Sequence, residues 1–161
     1  MGLLARALDA DAGDVGRSVE AAAAIVLARL SLRFVRLEVL ARLSDRLAGA
    51  AGDVRGGTAP EDETCDRAAR AATVAGAVLG ATCLPRSLAL QWMLARRGVA
   101  SDLCVGFPRE GARFPGHAWI EVGARPLGAD AADGGRGDPA GGLEVLCRLP
   151  RREERRGSAP A

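Results

Sequence analysis

One cysteine and the chain's only histidine stand in sequence contexts that favour nucleophilic chemistry. Cys83 directly follows Thr82 and precedes Pro85, in a segment (TCLPRSLALQWMLARRG) patterned like a helix. Thr is a common N-cap residue, Pro is tolerated in the first helical turn, and Gly98 supplies a stop signal. A helix N-terminus lowers the pKa of a thiol placed there, because it carries partial positive charge. We therefore expect Cys83 to be a reactive thiolate.

The other three cysteines have sequence contexts typical of structural residues. Cys104 and Cys147 lie within alternating strand patterns, and Cys65 lies in a helical first turn whose acidic neighbours would raise its pKa. No C-x-x-C pair is present, and a single histidine leaves few ligands for a four-coordinate zinc site. The sequence therefore predicts no metal and no organic cofactor.

His117 begins a predicted strand, HAWIEV, just after the turn residues Pro115 and Gly116. A base on a strand next to a helix tip can reach a thiol at that tip, which is the arrangement needed to activate Cys83. We expect His117 to be the general base and acid.

A catalytic imidazole also needs an acceptor that orients its second nitrogen. If Gly123 and Ala124 form a two-residue hairpin turn, the register places His117 opposite Asp130. Side chains directly opposed on one face have Cβ atoms about 4.5–5.5 Å apart, which suits a carboxylate–imidazole hydrogen bond. Asp133 is a reserve candidate, and Glu121, on the same strand face as His117, is a weaker one.

The surrounding elements predict an α+β fold in which a helical N-terminal half packs on a small antiparallel sheet. Amphipathic spacing over 19–47 indicates one long helix or two shorter ones. The composition of residues 49–60, GAAGDVRGGTAP, is typical of a loop. A further helix is predicted from about residue 62 towards residue 79, with Gly80 ending it. Strand patterns cover 101–107, 117–122, a short return and 143–149. We expect one domain over 1–150, with a helical front at 19–79, a catalytic helix and sheet at 82–149, and a disordered tail at 151–161.

Composition excludes several classes of protein. The 161 residues carry a formal charge of +2 and are 48% hydrophobic, which argues against global disorder and against a dedicated nucleic-acid binder. The N-terminus lacks the apolar run of a signal peptide, and the longest uncharged stretch is too short to span a bilayer. We expect a cytoplasmic protein with reduced thiols and no transmembrane segment.

The stretch TCLPRSLALQWMLARRGVASDLCVGF, followed by PGHAWIEVGARPLGAD, resembles the transglutaminase-like cysteine protease core of the leader peptidases (B proteins) that process lasso-peptide precursors. The resemblance covers about 83–130 well and the flanking regions more loosely. It implies a papain-like catalytic core with Cys83 as nucleophile, His117 as base and an acidic third member. The family's usual third position falls on Ala129, with Asp130 one step on.

The resemblance also implies partners. Some members of this family carry a leader-binding winged-helix domain on the same chain, and others use a separate small protein. This chain resembles the stand-alone peptidase half. Its expected partners are the precursor peptide, the separate winged-helix protein and an ATP-dependent macrolactam synthetase.

Two other functions stay open from the residues. The same triad can transfer the acyl group to an amine instead of water. The second alternative is a non-catalytic interaction module in which Cys83 is simply a buried side chain. In that case replacing Cys83 would leave function intact.

Overall fold

The computed structural model describes residues 12–50, 59–108, 116–123, 125–128 and 143–149. Within these ranges the chain forms a helical half followed by an antiparallel sheet. The elements are α1 (Ala12–Phe34), α2 (Leu37–Ala50), α3 (Ala59–Val78), α4 (Cys83–Ala95), β1 (Asp102–Pro108), β2 (His117–Val122), β3 (Arg125–Leu127) and β4 (Leu143–Leu149). The predicted α+β class is confirmed.

The helical front takes the second of its two predicted forms, and its first helix begins earlier than predicted. It consists of two helices that separate at Val35 and Arg36, although the sequence has neither Pro nor Gly there. Helix α1 begins seven residues earlier than the predicted Val19, and an Asp14–Arg17 ion pair at 3.0 Å supports its first turn. The predicted 49–60 loop is shorter, because α2 continues to Ala50 and α3 begins at Ala59; residues 51–58 lie outside the described ranges.

The turn between α3 and α4 fixes where Cys83 begins its helix. Gly80 has a φ of +56°, a left-handed conformation that glycine adopts without strain. The guanidinium of Arg29 in α1 donates to the carbonyl oxygens of Leu79 (3.1 Å) and Gly80 (2.6 Å). These carbonyls belong to the C-terminal end of α3, where no intrahelical donor remains. The predicted stop at Gly80 is confirmed, and α1 holds the turn in place.

Helix α4 lies at the centre of the molecule. It packs on α1, α2 and α3 on one side and on β1 and β2 on the other. Ten of its thirteen residues are buried, as expected for a helix that is apolar on most of its faces. Leu88, Leu90, Met93 and Leu94 supply much of the core. The element that begins with Cys83 is therefore the most firmly enclosed one in the described chain.

The sheet has the strand order β3-β2-β1-β4, with antiparallel neighbours throughout. One face packs against the helices through residues of the main core, Leu103, Ala118, Ile120, Leu127 and Leu149. The opposite face carries His117, Trp119 and Glu121 on β2, with Cys104 beside Trp119 on β1. Both Trp119 and Cys104 are fully buried.

The strand predictions hold closely. Strands β2 and β4 have the predicted bounds, and β1 is shifted by one residue to 102–108. The predicted tail, 151–161, lies outside the described residues. None of the helices in the described ranges has the length and hydropathy that a bilayer crossing requires.

Candidate active site

Cys83 is the first residue of α4, as predicted. Thr82 is the N-cap by backbone conformation, with φ −69° and ψ 168°, but its side chain makes no capping hydrogen bond. Pro85 has no N–H, and the Arg86 N–H already donates to the Thr82 carbonyl oxygen at 3.4 Å. The N–H groups of Cys83 and Leu84 are therefore the backbone donors that the first turn presents to a bound anion.

The structure brings Cys83 and His117 together. The thiol lies 3.9 Å from the carbonyl oxygen of Gly116, the residue before His117. A hydrogen bond with His117 lowers the pKa of Cys83 most, and backbone N–H groups of Ala118 and Leu84 lower the pKa further. Partial burial of the thiol raises its pKa, but by less than these interactions together lower it. The half-buried thiol thus has the environment of a thiolate nucleophile.

Ser87, one turn after Cys83, anchors the helix to the strand. Its hydroxyl donates to the Ala118 carbonyl oxygen at 2.9 Å, beside His117. This buried bond fixes how α4 sits against the start of β2. The sequence interpretation did not single out Ser87. The available signal was a hydroxyl four residues after Cys83, on the same face of an otherwise apolar helix.

On its other side His117 meets Trp119. The two rings are nearly parallel, with an interplanar angle of 14° and centroids 6.2 Å apart. The indole N–H donates to Glu121 Oε1 at 2.9 Å, and Arg148 on β4 donates to Glu121 Oε2 at 2.5 Å. Glu121, the weaker candidate for orienting His117, therefore uses its two oxygens to hold Trp119 and Arg148.

The hairpin register behind the Asp130 prediction is confirmed over its described length. Val122 pairs with Arg125 and Ile120 with Leu127, which is the register that the prediction requires. Strand β3 ends at Leu127. Asp130 and Asp133 lie outside the described residues, and the third catalytic position stays a prediction.

The remaining cysteines occupy different environments from Cys83. Cys65 and Cys104 are buried, and Cys147 is half-buried. Burial is the main cause that raises the pKa of Cys104 to about 12, and the Glu121 carboxylate adds to it. Among the described residues no group of three or more His, Cys, Asp or Glu side chains has the arrangement of a metal site.

A comparison with protein families matches residues 24–137, more than two thirds of the chain, to a model described as the transglutaminase-like superfamily. The chain belongs to this superfamily. Its members are in general cysteine peptidases and acyltransferases, and both use a thiol nucleophile. The matched span of the transglutaminase-like domain includes Cys83, His117, Asp130 and Asp133. No curated protein and no solved structure matches the chain.

Proposed function

We propose that the protein is a cysteine peptidase that removes the leader from a lasso-peptide precursor, with Cys83, His117 and Asp130 as its triad. The observation that carries the proposal is the Cys83–His117 hydrogen bond at the N-terminus of α4, which lowers the pKa of the thiol. The resemblance of residues 83–130 to the leader peptidases supplies the substrate class.

In the first half-reaction the Cys83 thiolate attacks the carbonyl carbon at the junction of leader and core. The carbonyl oxygen becomes an oxyanion, which the N–H groups at the start of α4 are suited to stabilise. The protonated His117 gives its proton to the departing amine as the C–N bond breaks. The amine is the new N-terminus of the core peptide, and the leader stays on Cys83 as a thioester.

In the second half-reaction His117 takes a proton from water, which attacks the thioester carbonyl. The C–S bond breaks, the leader leaves with a free carboxylate, and the Cys83–His117 pair is restored. Asp130 accepts a hydrogen bond from the second nitrogen of His117 and keeps the ring in the productive orientation. These steps require no metal or organic cofactor.

The partners in this proposal follow from the resemblance. A separate winged-helix protein binds the leader and delivers the precursor to the peptidase. An ATP-dependent macrolactam synthetase then closes the ring onto the freed amine. The reactions take place in the cytoplasm, where both ATP and reduced thiols are available.

Transfer to an amine is the competing outcome, since the superfamily also contains acyltransferases. The test is incubation of the chain with a precursor and a leader-binding protein encoded by neighbouring genes, followed by mass spectrometry of the intact products. Two shorter peptides, together equal to the precursor plus one water, support the peptidase. A product heavier than the precursor contradicts hydrolysis and indicates acyl transfer.

Two controls sharpen this test. Cys83→Ala must abolish the products, whereas Cys147→Ala removes a half-buried thiol elsewhere in the sheet and must leave them unchanged. Neighbouring genes that encode neither a short precursor nor an asparagine-synthetase-like protein would contradict the lasso-peptide assignment while leaving the thiol chemistry in place.

A further inference from the structure

We propose that Trp119, Glu121 and Arg148 form a brace that fixes the ring of His117 in the orientation needed to hold the Cys83 proton. These three are positioning residues, since they act on Cys83 through His117. The inference deepens the proposed function and rests on its Cys83–His117 pair.

The first contact of the brace is the stacking of His117 on Trp119. Their centroid distance of 6.2 Å lies within the range of interacting aromatic pairs. His117 is partly exposed at the start of β2, whereas Trp119 is fully buried. A buried indole is confined to one rotamer by its neighbours. It therefore offers the imidazole a fixed surface against which to rest.

The second contact sets the rotation of the indole. Its N–H donates to the carboxylate of Glu121, which is itself only 7% exposed. A buried carboxylate is costly unless it is paired and hydrogen-bonded. The brace satisfies this requirement, because Glu121 accepts from Trp119 with one oxygen and from Arg148 with the other. Core packing alone does not require a charged side chain at position 121. The carboxylate of Glu121 is therefore explained better by its role in orienting Trp119.

The third contact joins strands that are not neighbours. Arg148 lies on β4, which pairs with β1, and β1 separates it from β2. The β1 residue between them is Cys104, which pairs with both Trp119 and Arg148. A small side chain at that position leaves room for the guanidinium to reach across. The brace therefore ties the orientation of His117 to three of the four strands of the sheet.

The first test of positioning holds charge constant, because several charged or titratable groups lie near the pair. On the brace side these are Glu121, Arg148, Cys104 and Asp102, the β1 residue paired with Glu121. On the helix side Arg86 follows Cys83 by one turn. Trp119→Phe is charge-neutral and keeps a ring for stacking, but it removes the N–H donor.

The experiment measures the pH dependence of alkylation of Cys83 by iodoacetamide in the full chain, with mass mapping of the label. This readout needs no peptide substrate. In Trp119→Phe we expect the pH profile to move up by about one unit, so that the alkylation rate at pH values well below the midpoint falls about tenfold. An unchanged profile in a folded Trp119→Phe protein overturns the proposal.

The matched control is Ile120→Val, a buried position on the opposite face of the same strand. It disturbs packing without touching the brace, so its alkylation profile must stay unmoved even though its melting temperature falls. If Ile120→Val moves the profile as much as Trp119→Phe does, the effect is general loosening and the proposal is wrong.

A second pair of variants covers the case in which Trp119→Phe does not fold. Arg148 is half-exposed, so Arg148→Met is compatible with folding, and Arg148→Lys keeps the charge and one donor to Glu121. We expect Arg148→Met to shift the profile upward and Arg148→Lys to restore it in part. No shift in Arg148→Met, or an equal shift in both, contradicts the brace. If alkylation of Cys83 in the unmodified protein follows the pH profile of an ordinary cysteine, that result contradicts the proposed function itself.

Discussion

Cys83 at the start of α4 and Cys104 in the middle of β1 both lie beside strand β2, yet their surroundings have opposite effects. Cys83 meets His117 and backbone N–H groups, which lower its pKa below that of an ordinary cysteine. Cys104 pairs with Trp119, is fully buried near the Glu121 carboxylate, and has its pKa raised to about 12. One strand therefore lowers the pKa of a thiol beside its first residue and raises the pKa of another thiol two residues further on. The comparison teaches that hydrogen-bond donors and partial exposure distinguish two thiols at the same sheet.

The largest expected difference between the two thiols is in catalysis. We expect Cys83→Ala to lower leader cleavage by at least about a thousandfold, because it removes the nucleophile. Cys104→Ala should leave the cleavage rate within about threefold while lowering thermal stability, because a buried side chain is lost. The measurement is cleavage of the precursor by mass spectrometry, alongside thermal melting. Equal losses of activity in the two variants would break the distinction.

The second difference is in thiol labelling at neutral pH. Thiolate content falls tenfold for each unit that the pH lies below the pKa, so the lowered pKa of Cys83 and the raised pKa of Cys104, about 12, give Cys83 much the larger thiolate fraction at neutral pH. Brief treatment with iodoacetamide should therefore label Cys83 first. Faster labelling of Cys104, Cys65 or Cys147 contradicts the assignment of the reactive thiol.

The third prediction concerns Asp130, the acid proposed to orient His117. Asp130→Asn should lower cleavage by about a hundredfold or more, because the amide no longer holds the imidazole in the required tautomer. Asp133→Asn, a matched change three residues away, should stay within about twofold. The reverse ranking would transfer the third role to Asp133.

The smallest expected effect tests the hairpin that leads towards Asp130. Arg125 bridges Asp62 (2.7 Å) and Asp66 (2.5 Å) of α3, and these ion pairs are partly solvent-exposed. Arg125→Met should reduce stability by about 1 kcal/mol or less and cleavage only slightly. Its control, Arg67→Met, removes an ion pair with Glu63 that lies within α3 alone. A larger activity loss in the control than in Arg125→Met would exclude a role for this link between hairpin and helix.

The elements near the site were the most predictable from sequence. The assumption of a short hairpin connection after Val122 predicts the observed β2–β3 register, and Thr82, Pro85 and Gly98 mark the bounds of α4 with local signals. Such signals act over a few residues, so they can be identified without knowledge of tertiary contacts.

The less predictable features depend on contacts between distant parts of the chain. The break at Val35 and Arg36 has no local breaker. The role of Glu121 depends on Arg148, which only the pairing of β1 with β4 brings within reach. Ser87 was not recognised because its acceptor is a backbone carbonyl thirty-one residues away.

The central claim is that His117 holds Cys83 as a thiolate below the pH at which an ordinary cysteine ionises. The most direct measurement is a titration of the ultraviolet absorbance of the thiolate, taken as the difference between the unmodified protein and Cys83→Ser, and repeated in a His117→Ala background. Because the native pKa is lowered, the thiolate signal should persist below the ordinary pKa of a cysteine and disappear only as the pH falls through the lowered pKa. In the His117→Ala background the transition should move upward. A transition at or above the ordinary value in the unmodified protein, or one that His117→Ala leaves in place, would contradict the account.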